Sequence, residues 1–404
     1  MIAYDNGWKI EGVTIEEIAE KYGTPTYVYS GKMLEESISK VYHVFEGLPF
    51  TLSYACKANG NPLLLNFLHK RGLWMDVVTM GEYQIAKRAG VKPENIIVNG
   101  NGKTLLDLET WLEEGVFAIN IDSQEEYSLI VENRLSGNDR THFFLRVNPD
   151  VDAKTHPYIS TGLKKNKFGI HLETAQKIFE EDRLPISGIH MHIGSSISEI
   201  TPYAEAIEKL LRFKERNSSL QYLNIGGGWS IDYSHSGKEF DVSAFRQTIV
   251  PLLKSFDCPV IAELGRYIVG SAGTLLSKVM YLKQTPYKRF IVCDANMATL
   301  IRPALYGAEH IVLPLIAPEK KRKRFTVDVV GALCETGDIL AQGREIDEVV
   351  PGEFVAILDT GAYGYAMSSN YNGVFRPAEV LVQGEKTRLI RRRETVDDIM
   401  RLIE

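Results

Sequence analysis

Apolar and polar positions follow two different rhythms along this chain. From about Thr26 to Leu264, short β-rich apolar runs alternate with segments whose apolar residues recur at three- and four-residue steps. The helical step is plainest from Thr201 to Glu215, where Tyr203, Ala206, Ile207, Leu210 and Leu211 share a face. Strands are predicted at Thr26 to Tyr29, Phe50 to Tyr54, Asp76 to Val78, Ile96 to Val98, Phe117 to Ile121, Phe143 to Val147, Gly188 to His192, Tyr222 to Ile225 and Val260 to Glu263. Parallel strands need long crossovers, and the helical segments supply them. Eight or nine such units predict a (β/α)8 barrel.

Beyond about Val269 the pattern becomes strand after strand with turn signals, as in Arg289 to Cys293, Phe325 to Val330, Phe354 to Leu358 and Ala378 to Val382. A short helix is expected near Thr395 to Ile403. The expected class is therefore α/β: a barrel over residues 26–268, and a β domain made of residues 269–404 with 1–25. Barrel enzymes build their sites at the carboxyl ends of the strands, so residues there are the first candidates for chemistry.

Composition narrows the function classes. With 404 residues, 44% hydrophobic and 24% charged, the chain can bury a large core and shows no low-complexity stretch. A formal net charge of -6 argues against nucleic acid and for a small-molecule partner. The basic clusters Lys320 to Arg324 and Arg391 to Arg393 read as a solvated turn and an exposed strand end. Cys56, Cys258, Cys293 and Cys334 lack the paired spacing of a zinc site or a disulfide scaffold, so no metal is expected and a reducing cytoplasm is the default. No run approaches a membrane span and no leader pattern is read at the N-terminus.

Lys57, in Tyr54-Ala-Cys-Lys-Ala-Asn-Gly60, follows an apolar run near the end of a predicted barrel strand. A desolvated lysine there suits Schiff-base chemistry with an aldehyde, although taken alone the position suits a surface lysine with a buried stem better. Gly226, Gly227 and Gly228 follow another strand, where bare backbone can approach a phosphate and the next helix start would add its dipole. Glu263 and Arg266, in Glu263-Leu-Gly-Arg-Tyr267, put a carboxylate and a cation at the end of the next strand, or else form a surface ion pair. His190 and His192 share a strand face, which fits a metal pair, a flat ring stacked on a cofactor, or a core histidine. Cys334, Glu335 and the tyrosines of Gly361-Ala-Tyr-Gly-Tyr365 stand in the second domain, which suggests a composite site.

Taken in order, these segments resemble the fold-type III pyridoxal-phosphate (PLP) decarboxylases, and among them the diaminopimelate decarboxylases. The likeness runs from Ile10 to Ile15 and Lys21 to Thr26, through the Lys57 segment, Asp76-Val-Val78, His156 to Gly162 and Lys167-Phe-Gly169. It continues through His190 to Ser195, Gly226 to Gly228, Glu263 to Arg266, Leu300 to Tyr306, Cys334 to Asp338 and Ser368 to Asn372. Leu264, Asn296, Ala298, Thr79-Met80 and Ser196 depart from the usual wording, and none of them removes a catalytic group.

The resemblance implies an alanine-racemase-type barrel with a C-terminal β domain, PLP as cofactor, and a homodimer with a composite active site. It implies that Lys57 carries PLP, His192 stacks on its ring and Glu263 pairs with the pyridine nitrogen. Asp76 would also border the cofactor. Ser195, Gly226, Gly227, Gly228 and the Gly265-Arg266 backbone would hold the phosphate, with Tyr363 closing it. Arg266, Arg302, Tyr306, Glu335 and Tyr363 would contact an amino-acid substrate. Cys334 would return a proton to the α-carbon, and it would come with Glu335 from the partner subunit. The implied reaction converts meso-2,6-diaminopimelate to L-lysine and carbon dioxide, the last step of lysine biosynthesis. A decarboxylase for ornithine, lysine, arginine, a D-amino acid or a carrier-bound substrate is the alternative, and an alanine-racemase-like enzyme a more distant one.

Overall fold

A computed structural model describes residues 2–135, 140–152, 167–237 and 239–403. The motif His156 to Gly162 lies outside the described residues. The chain divides into two compact units, one formed by residues 38–231 with 237–267, the other by residues 1–37, 232–236 and 268–404.

The larger unit is a closed barrel of eight parallel strands. Their chain order is Phe50–Ala55, Trp74–Val77, Ile96–Val98, Ala118–Ile121, His142–Asn148, Ile186–Met191, Tyr222–Asn224 and Val260–Leu264. Val260–Leu264 pairs back onto Phe50–Ala55, which closes the ring. A short strand, Ile170–His171, adds to His142–Asn148 from outside the ring. Helices begin where the sequence supplies caps. Thr79 accepts from Glu82 N, Thr104 forms a capping box with Asp107, and Ser123 accepts from Glu126 N. The helix predicted near Thr201 spans Thr201–Arg216 and buries Tyr203, Ala206, Ile207, Leu210 and Phe213.

The barrel interior is layered by the two-residue period of its strands. Ile97, Ala118, Phe144 and Ile261 form a buried apolar cluster, with Trp74 and Tyr222 packed against it. Two positions further along each of these strands the side chains become polar: Asn99, Asn120, Arg146, Glu263, Asp76 and Asn224. Gly188 belongs to the apolar level, because a Cβ there would stand 2.3 Å from the Phe144 ring. His190 comes two residues later. The alternation thus sets a dry floor beneath a polar carboxyl-terminal mouth.

The second unit contains a nine-stranded sheet whose main path runs Ile339–Asp347, Arg324–Val330, Arg289–Cys293, Gly273–Gln284, Thr26–Ser30, Ala378–Gln383 and Lys386–Arg391. Phe354–Ile357 and Val312–Pro314 pair beside this path. A three-stranded meander, Ile2–Tyr4, Trp8–Ile10 and Val13–Thr14, precedes it. Ile10, Val13, Ile15, Ile18, Val28, Leu276 and Val382 form one of its cores.

One predicted strand changes place. Thr26–Ser30, read from the sequence as the first barrel strand, lies in this sheet between Gly273–Gln284, antiparallel, and Ala378–Gln383, parallel. All five of its residues are buried, so its apolar run matches a barrel strand in everything but partner. The helix Gly31–Val44 comes next in the chain, which supplied the strand-helix rhythm.

Candidate active site

Glu263 is the electrostatic centre of the barrel mouth. Its Oε1 accepts from Asn224 Nδ2 at 2.6 Å, Asn99 Nδ2 at 3.0 Å and Asn120 Nδ2 at 3.2 Å. Its Oε2 lies 3.1 Å from His190 Nε2. The asparagines also organise one another. Asn99 Nδ2 reaches Asp76 Oδ1 at 2.7 Å, Asn120 Nδ2 reaches Asn99 Oδ1 at 2.8 Å, and Asn224 Oδ1 accepts from Gly226 N at 2.9 Å. A buried carboxylate survives ionised only with such partners.

Burial alone would raise the Glu263 pKa, but His190 and the asparagine donors outweigh it and lower it to about 2. Asp76 goes the other way. Its burial, and then the charge of Glu263, raise it from 3.8 to about 7. Two carboxyls bridged by one asparagine amide are thus driven apart, one ionised and one prone to keep its proton. Burial also lowers the pKa of His190, whose Nε2 stands 3.1 Å from Glu263 Oε2.

His192 lies just beyond the strand Ile186–Met191, and its Nδ1 accepts from Gly227 N at 3.2 Å. Burial, then the charges of Lys57 and Arg146, hold its pKa well below the usual histidine value. A neutral ring with a committed Nδ1 is suited to lie flat against a cofactor. Lys57 sits in the turn Cys56–Ala58 at the end of the strand Phe50–Ala55, and it is exposed. Its charge acts on Asp76, Glu82 and His192, which places it at the same mouth.

Gly226 and Gly228 have positive φ, +63° and +114°. A Cβ at Gly227 would stand 1.9 Å from Glu263 O, and one at Gly226 would stand 2.3 Å from Met191 O. The bare triplet therefore lets two strand ends and the His192 loop converge. No helix starts directly after it, contrary to the sequence expectation; the next helix is Val242–Lys254. Any phosphate met here would face backbone rather than a helix dipole, because residues 225–228 leave the barrel as a loop. Close by in the barrel, Arg266 Nη2 donates to Ser195 Oγ at 3.3 Å. Gly265 packs against Ala55 and Ala58, the neighbours of Lys57.

The donor set fits pyridoxal phosphate in three places. An ionised buried carboxylate suits a protonated pyridine nitrogen, Arg266 with Ser195 and bare backbone suits a phosphate, and an accessible lysine suits an aldehyde.

The second unit holds the remaining predicted residues. Arg302 opens the helix Arg302–Tyr306 and is buried; Tyr306, half-buried, ends it. Cys334 and Glu335 are exposed on a turn organised by Asp338, whose carboxylate accepts from Met297 N at 2.6 Å and Leu333 N at 2.8 Å. Glu335 Oε2 accepts from Tyr371 O–H at 2.6 Å. Tyr363 has φ +58°, an outlier for a bulky residue, between Gly361 and Gly364 whose Cβ positions are filled by neighbouring backbone.

Sequence reasoning missed Asn99, Asn120 and Asn224, as well as Arg146, which pairs with Asp122 at 2.8 Å. The available signal was a polar residue two places after an inward apolar one, repeated from strand to strand. Among the described residues no cluster of three metal-ligating side chains occurs, and no helix is long and apolar enough to cross a membrane.

Residues 32–270 match the family model for the pyridoxal-dependent decarboxylase, pyridoxal binding domain. The chain belongs to the pyridoxal-dependent decarboxylase family. Its relatives extend the likeness beyond the barrel. The diaminopimelate decarboxylase of Aquifex aeolicus is 42% identical over 399 residues, covering 97% of this chain and 94% of that protein. The Pseudomonas aeruginosa enzyme of the same name is 40% identical, covering 96% and 95%. Among solved structures, diaminopimelate decarboxylase from Helicobacter pylori complexed with L-lysine superposes with a TM-score of 0.89 at 33% identity, covering 96% of this chain and 98% of that one. As in other members of the family, the cofactor is pyridoxal phosphate.

Proposed function

We propose that this decarboxylase converts meso-2,6-diaminopimelate to L-lysine and carbon dioxide. The observation that carries the reading is Glu263, held ionised by three asparagine amides and His190 at the mouth of a pyridoxal-binding barrel. Full-length likeness to diaminopimelate decarboxylases, one of them solved with L-lysine bound, supports the substrate.

Bound pyridoxal phosphate supplies an electron sink for the pair left when carbon dioxide departs. The protein's residues make that sink effective. Lys57 would be the residue that holds the cofactor's aldehyde carbon. Glu263, ionised, would accept the pyridine N–H and so favour its protonated form. His192, its pKa held low by burial, would cover the cofactor ring and exclude water. Ser195 and the backbone of Gly226 to Gly228 and of Gly265-Arg266 would hold the phosphate and keep the cofactor in register. Arg302 and Arg266 bind substrate carboxylate, a task for planar guanidinium. Cys334 then gives its thiol proton to the α-carbon, and solvent restores the thiol.

A homodimer belongs to the same reading, with Cys334, Glu335 and Tyr363 offered by the second unit of one protomer to the barrel of the other. Purified enzyme with pyridoxal phosphate should release carbon dioxide from meso-diaminopimelate and form equimolar L-lysine, and Lys57→Ala should abolish both. Exchange of the α-hydrogen without carbon dioxide release would turn the assignment to a racemase.

A further inference from the structure

Arg302 is buried, and its guanidinium meets two rings. Its Nη1 lies 2.8 Å from His310 Nε2, while His310 Nδ1 lies 2.8 Å from Leu358 O. The carbonyl can only accept and the guanidinium can only donate. The imidazole must therefore carry its proton on Nδ1 and offer Nε2 as the acceptor. The alternative tautomer would set N–H against N–H at Arg302 and leave Leu358 O without its donor. His310 is only 2% exposed, so no water competes easily for either nitrogen.

Tyr233 completes the arrangement from a different stretch of chain. The Arg302 guanidinium carbon stands 4.6 Å from its ring centroid, and the Tyr233 and His310 rings meet edge to face at 5.2 Å and 81°. The Tyr233 segment is tied down in turn by His235 Nε2 at 2.8 Å from Asp359 Oδ2. All of these residues belong to one compact unit.

We propose that His310 is a positioning residue for substrate recognition: by accepting from Nη1, it fixes the plane in which the Arg302 guanidinium meets a substrate carboxylate. The inference rests on the reading of Arg302 as a carboxylate-binding residue. Bidentate recognition depends on that plane, because both N–H bonds must align together. A long side chain without such an anchor spreads over several rotamers, and its affinity for the carboxylate falls.

Two variants separate positioning from folding. His310→Leu removes the acceptor and keeps apolar bulk, whereas His310→Gln restores an oxygen within reach of Arg302. With the cofactor-loaded enzyme and meso-diaminopimelate, His310→Leu should lower kcat/KM roughly 100-fold, mainly through KM. His310→Gln should recover most of that loss, and both variants should keep wild-type cofactor absorbance. Unchanged kcat/KM in a folded His310→Leu enzyme would overturn the proposal. So would equal loss of kcat, cofactor loading and thermal stability in both variants, the mark of a merely structural role. Should the wild type turn over no diaminopimelate, the substrate reading fails instead, and the proposal is judged on the ring itself. Imidazole nitrogen resonances of labelled enzyme should then show His310 neutral and protonated at Nδ1, with Nε2 shifting in Arg302→Leu; an Nε2-protonated ring would sink it.

Discussion

Asp76 and Glu263 share the amide of Asn99, but burial and the Glu263 charge push Asp76 up while His190 and the asparagine donors hold Glu263 down. With Asp76 raised from 3.8 to about 7, the folded state holds a proton that the unfolded chain releases at lower pH. Its contribution to stability is therefore fully present below pH 3.8 and is lost as pH rises through about 7. In cofactor-free protein, Asp76→Asn should gain stability relative to wild type as pH rises from about 5 to about 8, as read by urea denaturation. A difference that stays flat across that range would mean that Asp76 is ionised throughout. At this scale the sequence was legible where chemistry is unusual. Lys57 and Glu263 stand out at predicted strand ends, whereas Asn120 and Asn224 sit inside predicted strands and Asn99 just after one, with nothing in any of them alone that signals chemistry. Their meaning lies in a convergence on one oxygen that spacing along the chain cannot express.

The strand Ile186–Met191 shows how the element scale constrains the site. Gly188 leaves room for the Phe144 ring, which fills the barrel floor beneath His190. Gly188→Ala should cost about 1–3 kcal/mol through overpacking, and Phe144→Leu in the same chain should relieve part of it. Denaturation midpoints of the two single variants and the double variant measure the coupling; strict additivity would show that the two sites do not meet. The eight barrel strands could be read from apolar runs separated by helical stretches, because period and length carry that information. Thr26–Ser30 could not be placed the same way. Its parallel neighbour, Ala378–Gln383, is far away in sequence, and nothing in an apolar run specifies its partner. The missing helix after Gly228 has a related cause. A glycine triplet announces a close backbone approach, here to Glu263 O and Met191 O, but does not specify the next element of the chain.

On the scale of the whole molecule, the residues assigned to one reaction are divided between two units of the same chain. Lys57, His192 and Glu263 belong to the barrel, and Arg302, Cys334 and Tyr363 to the other. The proposed homodimer makes this division testable. Lys57→Ala and Cys334→Ala should each be inactive as homodimers, yet mixing them in equal amounts and allowing exchange should restore roughly a quarter of wild-type activity, since only heterodimers contain one intact site. No recovery after verified exchange would place Cys334 and Lys57 of a single protomer in the same site. The sequence suggested this composite arrangement because a thiol, a carboxylate and phenols gathered in a domain without a cofactor lysine.

Two arginines offered to an amino acid suggest a substrate that carries carboxylates at both ends. The decisive measurement is kcat/KM for carbon dioxide release from meso-diaminopimelate, L-lysine, L-ornithine and L-arginine with one enzyme preparation. Release confined to diaminopimelate, with L-lysine as the product, is the predicted result. Comparable release from L-lysine or L-ornithine, which lack the second carboxylate, would contradict it.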